Sequence, residues 1–239
     1  MSFGDVLERI ADDVVGTQPS LDPEVAVLAT CLAAAVVVVP GAWRIARHLL
    51  TIVHEGGHAA AALLSGRRLS GIRLHADTSG LTVSHGRSRG PGMVATAFAG
   101  YPAPAFVGVG AALLVSLERD LLALWAGLLL LTLVLVQIRN FYGLYVVLVA
   151  AMLAVGVTWW GSPVAHGAAA WALTSFLLIG APRTVVELQI ARRRSRGRTS
   201  DADILAGLTP LPAIVWVGLM LLVTVACAAG GAWLLVDVR

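Results

Sequence analysis

The sequence predicts an all-α polytopic membrane protein, with about seven transmembrane helices and a small cytoplasmic β-hairpin. Composition is the first observation behind this. Of 239 residues, 58% are hydrophobic and only 13% charged, and the mean hydropathy is +0.83. That balance belongs to a chain that places most of its side chains in lipid. The second observation is a series of seven apolar stretches, at about 24–43, 44–65, 92–117, 120–138, 141–159, 163–181 and 210–236. Each reaches or approaches the roughly 20 residues that a helical span requires. The third is the stretch 66–91, which is polar and partly alternating. No soluble domain has room to exist, because the longest polar connections are 66–91 and 182–209. The chain divides into a surface segment, 1–23, and one transmembrane domain, 24–236.

Taken in order, the start is polar and acidic, with Asp5, Glu8, Asp12, Asp13 and Asp22. Phe3, Val6, Leu7 and Ile10 recur at helical spacing, so a short surface helix is expected. No basic region leads into an apolar stretch, so no secretory signal is expected. After the first two spans, Leu69–His75 and Leu81–His85 alternate around the turn sequence Asp77-Thr78-Ser79-Gly80. This reads as a β-hairpin whose edge could pair with an extended peptide. The third span opens Ala99-Gly100-Tyr101-Pro102-Ala103-Pro104. Its prolines and glycine suit a membrane helix that lines a cavity or packs closely on a neighbour. Arg139-Asn140-Phe141 interrupts two spans and reads as a turn, with Asn140 a candidate to hold a substrate carbonyl. Gly161-Ser162-Pro163 marks a second tight turn. The basic run 192–198 reads as a topology anchor at anionic lipid headgroups rather than a nucleic-acid arm. Ser200 then has the place of a helix N-cap, with Asp203 completing a box three residues on.

All seventeen basic residues are arginine, a composition that suits a GC-rich bacterial genome and a plasma-membrane location. With a cytoplasmic N-terminus and seven spans, thirteen arginines face the cytoplasm and four (Arg44, Arg47, Arg119 and Arg239) lie outside. The positive-inside rule therefore favours N-terminus in and C-terminus out, with Trp159 and Trp160 at the outer interface. Cys31 and Cys227 both fall in apolar segments and form no disulfide framework or Cys-x-x-Cys metal signal.

Chemistry concentrates in His54-Glu55-Gly56-Gly57-His58, an H-E-x-x-H pattern inside an apolar run. Histidines at i and i+4 share one helix face, so both imidazoles can reach one tetrahedral Zn²⁺. Glu55 follows the first histidine, where a carboxylate can take a proton from metal-bound water. An acidic side chain near the bilayer centre costs roughly 2.5–3.5 kcal/mol on insertion scales. Three ionisable groups within five residues of such a segment require a common purpose.

On these motifs the chain resembles the site-2 protease family of intramembrane zinc metallopeptidases, and within it the compact bacterial branch labelled M-fifty-B-like. His54-Glu55-Gly56-Gly57-His58 lies on a membrane helix, a Gly-containing hairpin follows, and Ala99-Gly100-Tyr101-Pro102 is similar to the family's Ala-Gly-Pro element. Ser200-Asp201-Ala202, with Leu205, Thr209, Pro212 and Trp216, looks like the branch's C-terminal signature. The resemblance implies a zinc endopeptidase acting on membrane-anchored protein substrates within the lipid bilayer. In it His54 and His58 hold Zn²⁺ and Glu55 serves as base. The family's Leu-Asp-Gly motif, the usual source of the third ligand, is absent. Of the carboxylates past the hairpin, the expected topology puts Glu187, Asp201 and Asp203 in the cytoplasm, and Asp201 is chosen because it sits in the branch-like signature. Helix capping is the competing role for Asp201 and Asp203. A non-catalytic metal-binding scaffold and a metal transporter are the alternative functions, and no sequence feature points to an oligomeric state.

Overall fold

The computed structural model describes residues 2–194 and 199–237. Arg196, Arg198 and Arg239, counted above, lie outside the described residues. The chain begins with α1 (Phe3–Val15), capped by a Ser2–Asp5 box. It continues through α2 (Pro23–Val38) and α3 (Pro40–Leu64) to a hairpin of β1 (Arg68–Leu74) and β2 (Gly80–His85). Then come α4 (Pro91–Ala99), α5 (Ala103–Ser116), α6 (Asp120–Gln137), α7 (Phe141–Trp160), α8 (Pro163–Arg194), α9 (Asp201–Leu208) and α10 (Ala213–Asp237).

The seven expected spans are fewer in the structure. Among the described residues, four helices (α6, α7, α8 and α10) are long and apolar enough to cross a membrane, with up to six crossings if the pairs α2–α3 and α4–α5 each count as one span. The boundary between the first two stretches falls at Val39, which closes α2 and precedes Pro40. A residue before proline is driven to extended backbone, and Val39 has φ −73 and ψ 118. The chain turns by 100° there. The helix α3 thus does not return antiparallel to α2. It carries Arg44, Arg47, His48, His54, Glu55 and His58 across one end of the bundle. The third expected span breaks at Gly100-Tyr101-Pro102, where α4 and α5 differ by 68°.

The expected loop 182–209 is also revised. The helix α8 runs through Pro182 to Arg194, about 48 Å at 1.5 Å per residue. That exceeds the roughly 30 Å hydrocarbon core, so its arginine-bearing end projects beyond the apolar layer. Membrane helices tolerate such a proline where neighbours satisfy the freed groups. Packed on its lower half are α2 and α5, through a core of Leu21, Ala26, Ala29, Ala112, Trp171 and Leu178.

Contacts sort the loops into two ends. At one end Arg9 lies 4.1 Å from the Trp159 ring, and Trp125 Nε1 donates to Asp13 at 3.1 Å. The N–H of Gln18 donates to the Glu118 carbonyl at 2.7 Å, and Leu235 shares a core cluster with Leu21. The helix α1 and the Leu235 end of α10 therefore lie at the end that holds Trp159. This corrects the expected arrangement, which put the N-terminus opposite both Trp159 and the C-terminus. The cause is the single crossing made by α2 and α3 together. At the other end sit α3, the hairpin, the α6–α7 turn, the end of α8 and α9.

The hairpin has the expected turn. The N–H of Ser79 donates to Asp77 Oδ1 at 3.0 Å, and Thr78 adopts φ 68. The strands pair antiparallel, with Ile72 opposite Thr82 and Leu74 opposite Gly80. Asn140 fastens the outer side of β1: its Nδ2 donates to the Leu74 carbonyl at 2.7 Å, and its Oδ1 accepts from the Leu74 N–H at 3.1 Å.

Candidate metal centre

One helical turn separates His54 from His58, and α3 presents both to the space between α4 and α9. The Nδ1 of His58 lies 2.6 Å from the Thr96 carbonyl on α4. A carbonyl only accepts, so Nδ1 carries the proton and Nε2 keeps its lone pair. That Nε2 is 3.0 Å from His54 Nε2. Asp201 Oδ2 completes a triangle, 3.3 Å from His54 Nε2 and 3.2 Å from His58 Nε2. Tetrahedral bonds of about 2.0–2.2 Å to zinc place ligand atoms about 3.3–3.6 Å apart. The three atoms fit that spacing with shifts of a few tenths of an ångström, and the donor set of two imidazoles and a carboxylate suits zinc.

Asp201 and Asp203 have divided the two roles open to them. Asp203 completes the capping box with Ser200 and takes Arg192 at 2.7 Å, tying α9 to α8. Asp201, in the first turn of the same helix, is left to face the histidines. Other residues of the C-terminal signature hold α9 in place. Leu205 is fully buried, Thr209 donates to the Leu205 carbonyl at 2.8 Å, and Trp216 Nε1 donates to Thr209 at 3.0 Å.

Two glycines let the elements close on the site. A Cβ at Gly57 would lie 2.9 Å from the Ala99 carbonyl oxygen, so the second glycine of the motif admits α4. A Cβ at Gly100 would lie 2.6 Å from His58 Cε1 and 2.7 Å from His54 Cε1. The break between α4 and α5 thus presses its glycine against both imidazoles. The Tyr101 ring meets His54 edge-on, with centroids 4.6 Å apart. From the sequence Gly100 was legible as a small residue in a cavity-lining break and as part of the family-like Ala99-Gly100-Tyr101-Pro102 element, but not as the residue that meets both histidines.

A cavity of about 900 Å³ opens over the triangle, bounded by α3, β2, α8 and α9. Glu55 lines it but is 3% exposed, and its Oε2 accepts from Thr82 Oγ1 at 2.6 Å. Glu187, on α8, accepts from Trp43 Nε1 at 2.7 Å and Arg183 Nε at 3.0 Å, and Arg47 lies 3.4 Å away. These contacts join α8 to α3 beside the cavity. Thr82, Thr96 and Glu187 were not singled out for these places from the sequence. Only the Arg183–Glu187 spacing of four residues on one helix gave a signal. Asn140 is not among the residues that line the cavity, and its amide is engaged by Leu74 of β1.

Fold and site together define an integral membrane protein with an H-E-x-x-H helix facing a carboxylate from a separate helix. The chain belongs to the Peptidase M50B-like family, whose profile matches residues 27–231. That family lies within the site-2 protease family of intramembrane metalloproteases. No curated protein and no solved structure gives a significant match.

Proposed function

We propose that the protein is an intramembrane zinc endopeptidase that hydrolyses peptide bonds of membrane-anchored substrates. The observation that carries this is the triangle of His54 Nε2, His58 Nε2 and Asp201 Oδ2, with edges of 3.0, 3.2 and 3.3 Å, built beside a sheltered glutamate. These three residues would hold the ion. When bound, zinc supplies a Lewis acid that acidifies water and polarises a carbonyl oxygen. Glu55 takes the proton from the attacking water and returns it to the departing amine nitrogen. A substrate helix must unwind to expose its bond, and the open edge of β2 would hold it extended along the cavity. Enclosure by α4, α8 and the hairpin keeps other water away from Glu55.

The same geometry supports an orientation. Among the described arginines, Arg9 and Arg119 lie at the end with the termini, and the remainder lie on α3, the hairpin region, the α6–α7 turn and α8. The positive-inside rule then puts the site end in the cytoplasm and both termini outside. The test of function is Glu55→Gln, which keeps size and hydrogen-bonding capacity but removes the base. This variant should retain zinc and fail to complement a deletion strain at matched protein level. Full complementation would defeat the protease reading in favour of a metal-binding scaffold.

A further inference from the structure

The strand β2 lies directly over Glu55. Thr82 Oγ1 is 2.6 Å from Glu55 Oε2 and 3.1 Å from the Glu55 carbonyl oxygen. A hydroxyl has one proton, and the charged, nearer carboxylate is the stronger acceptor. Two residues along the same face of the strand, a Cβ at Gly80 would lie 2.6 Å from Glu55 Cδ. The glycine permits the close approach, and the threonine donates to the carboxylate.

The same residue also belongs to an open edge. The Ile72 carbonyl accepts from the Arg139 N–H at 2.9 Å, and the polar groups of Leu74 are taken by Asn140. Both residues therefore direct their main-chain groups away from β2. In an antiparallel ladder, that makes their opposite residues members of non-hydrogen-bonded pairs. Those residues are Thr82 and Gly80. Their N–H and C=O groups point to the outer edge of β2, which borders the cavity.

We infer that Thr82 is the positioning residue for the general base, its hydroxyl holding Glu55 Oε2 while its main chain offers the edge on which an extended substrate pairs. Gly80, whose lack of a side chain leaves room beside Oε1, lets the carboxylate keep this place under the strand. Base and substrate are set relative to each other through one residue, so register along β2 selects the bond presented. This inference rests on the protease reading above.

The test compares Thr82→Val, which removes the hydroxyl at nearly constant shape, with Thr82→Ser, which restores it. Full-length, zinc-loaded protein is reconstituted in liposomes for each variant and for Glu55→Gln. Difference infrared spectra against Glu55→Gln isolate the Glu55 carboxylate stretch. That band should shift in Thr82→Val and return in Thr82→Ser. The hydrolysis probe is a fluorescence-quenched polypeptide with a single apolar span. Loss of a hydrogen bond to a charged group should lower kcat about ten- to a hundredfold in Thr82→Val, with KM within about twofold. Thr82→Ser should recover most of that loss, and zinc per chain should not change. An unshifted band or an unchanged kcat in Thr82→Val overturns the proposal. So does a fall in zinc content parallel to kcat, which marks a merely structural role. Failure of the protease reading has a different signature: wild type hydrolyses the probe no faster than Glu55→Gln. The role given to Thr82 then falls too, while the infrared shift still reports whether its contact with Glu55 exists.

Discussion

Replacing Gly100 with alanine would insert a methyl group between the two imidazoles of the site. Its Cβ would lie 2.6 Å from His58 Cε1 and 2.7 Å from His54 Cε1. Carbon atoms in good contact sit about 3.5–4.0 Å apart, so each ring must withdraw by about 1 Å or the α4–α5 break must move away. Overpacking of this kind costs about 1–3 kcal/mol where the surroundings yield. His58 is also tethered through Nδ1 to Thr96 at 2.6 Å, which limits its retreat. Metal sites hold their bond lengths to within about 0.2 Å, so a 1 Å displacement spoils one ligand. Zinc affinity should fall about ten- to a hundredfold, since 1.4 kcal/mol corresponds to a factor of ten. The assay is chelator competition against purified protein in detergent, with circular dichroism to show that helix content is kept. Gly110→Ala is the control, because a Cβ there meets nothing within 4 Å. Overlapping competition curves for wild type and Gly100→Ala would refute the reasoning.

Asn140→Ala removes two hydrogen bonds to Leu74, and hydrogen exchange at the Leu74 amide should speed up about tenfold; unchanged protection would mean that the hairpin is held elsewhere. Hydrogen bonding from Arg192 is the largest cause that lowers the Asp203 carboxyl, with partial burial opposing it. A depressed carboxyl stabilises above its unfolded value, so the deficit of Asp203→Asn in thermal melts should be full above pH 3.8 and shrink as pH falls further. A deficit that grew on acidification would contradict the clamp between α8 and α9. In intact cells an impermeant thiol reagent should label Asp12→Cys and spare Ser88→Cys; the reverse pattern would invert the orientation.

What the sequence could reveal depended on the range over which each signal acts. The H-E-x-x-H spacing is local, so His54, Glu55 and His58 were readable within one helical turn. The turn at Asp77-Thr78-Ser79-Gly80 and the Ser200–Asp203 box were readable for the same reason. Asp201 was reachable only through likeness to a family signature, because 143 residues separate it from His58 and no short-range pattern links them. The path of α2 and α3 was misread because each stretch approaches the length of a span, although the two helices are apolar enough to cross only when taken together. Folding both into one crossing moves Arg44 and Arg47 to the arginine-rich end and Arg9 away from it, which barely alters the charge bias. The boundary between the two stretches was placed at 43–44, whereas it falls at Val39–Pro40, and the sequence carried no angle for it. Asn140 stood as a candidate for a substrate carbonyl because its partner, the backbone of Leu74, has no sequence signature. Thr82 escaped for a related reason: a threonine on an alternating strand looks like ordinary β-propensity until the strand is laid over Glu55.

Zinc-edge anomalous scattering from crystals of wild-type protein grown with zinc tests the central claim most directly. The account predicts one strong peak per chain, within about 2.0–2.2 Å of His54 Nε2, His58 Nε2 and an Asp201 oxygen. No peak at that triangle under saturating zinc, or a peak bound by His54 and His58 with Asp201 turned away, would contradict it.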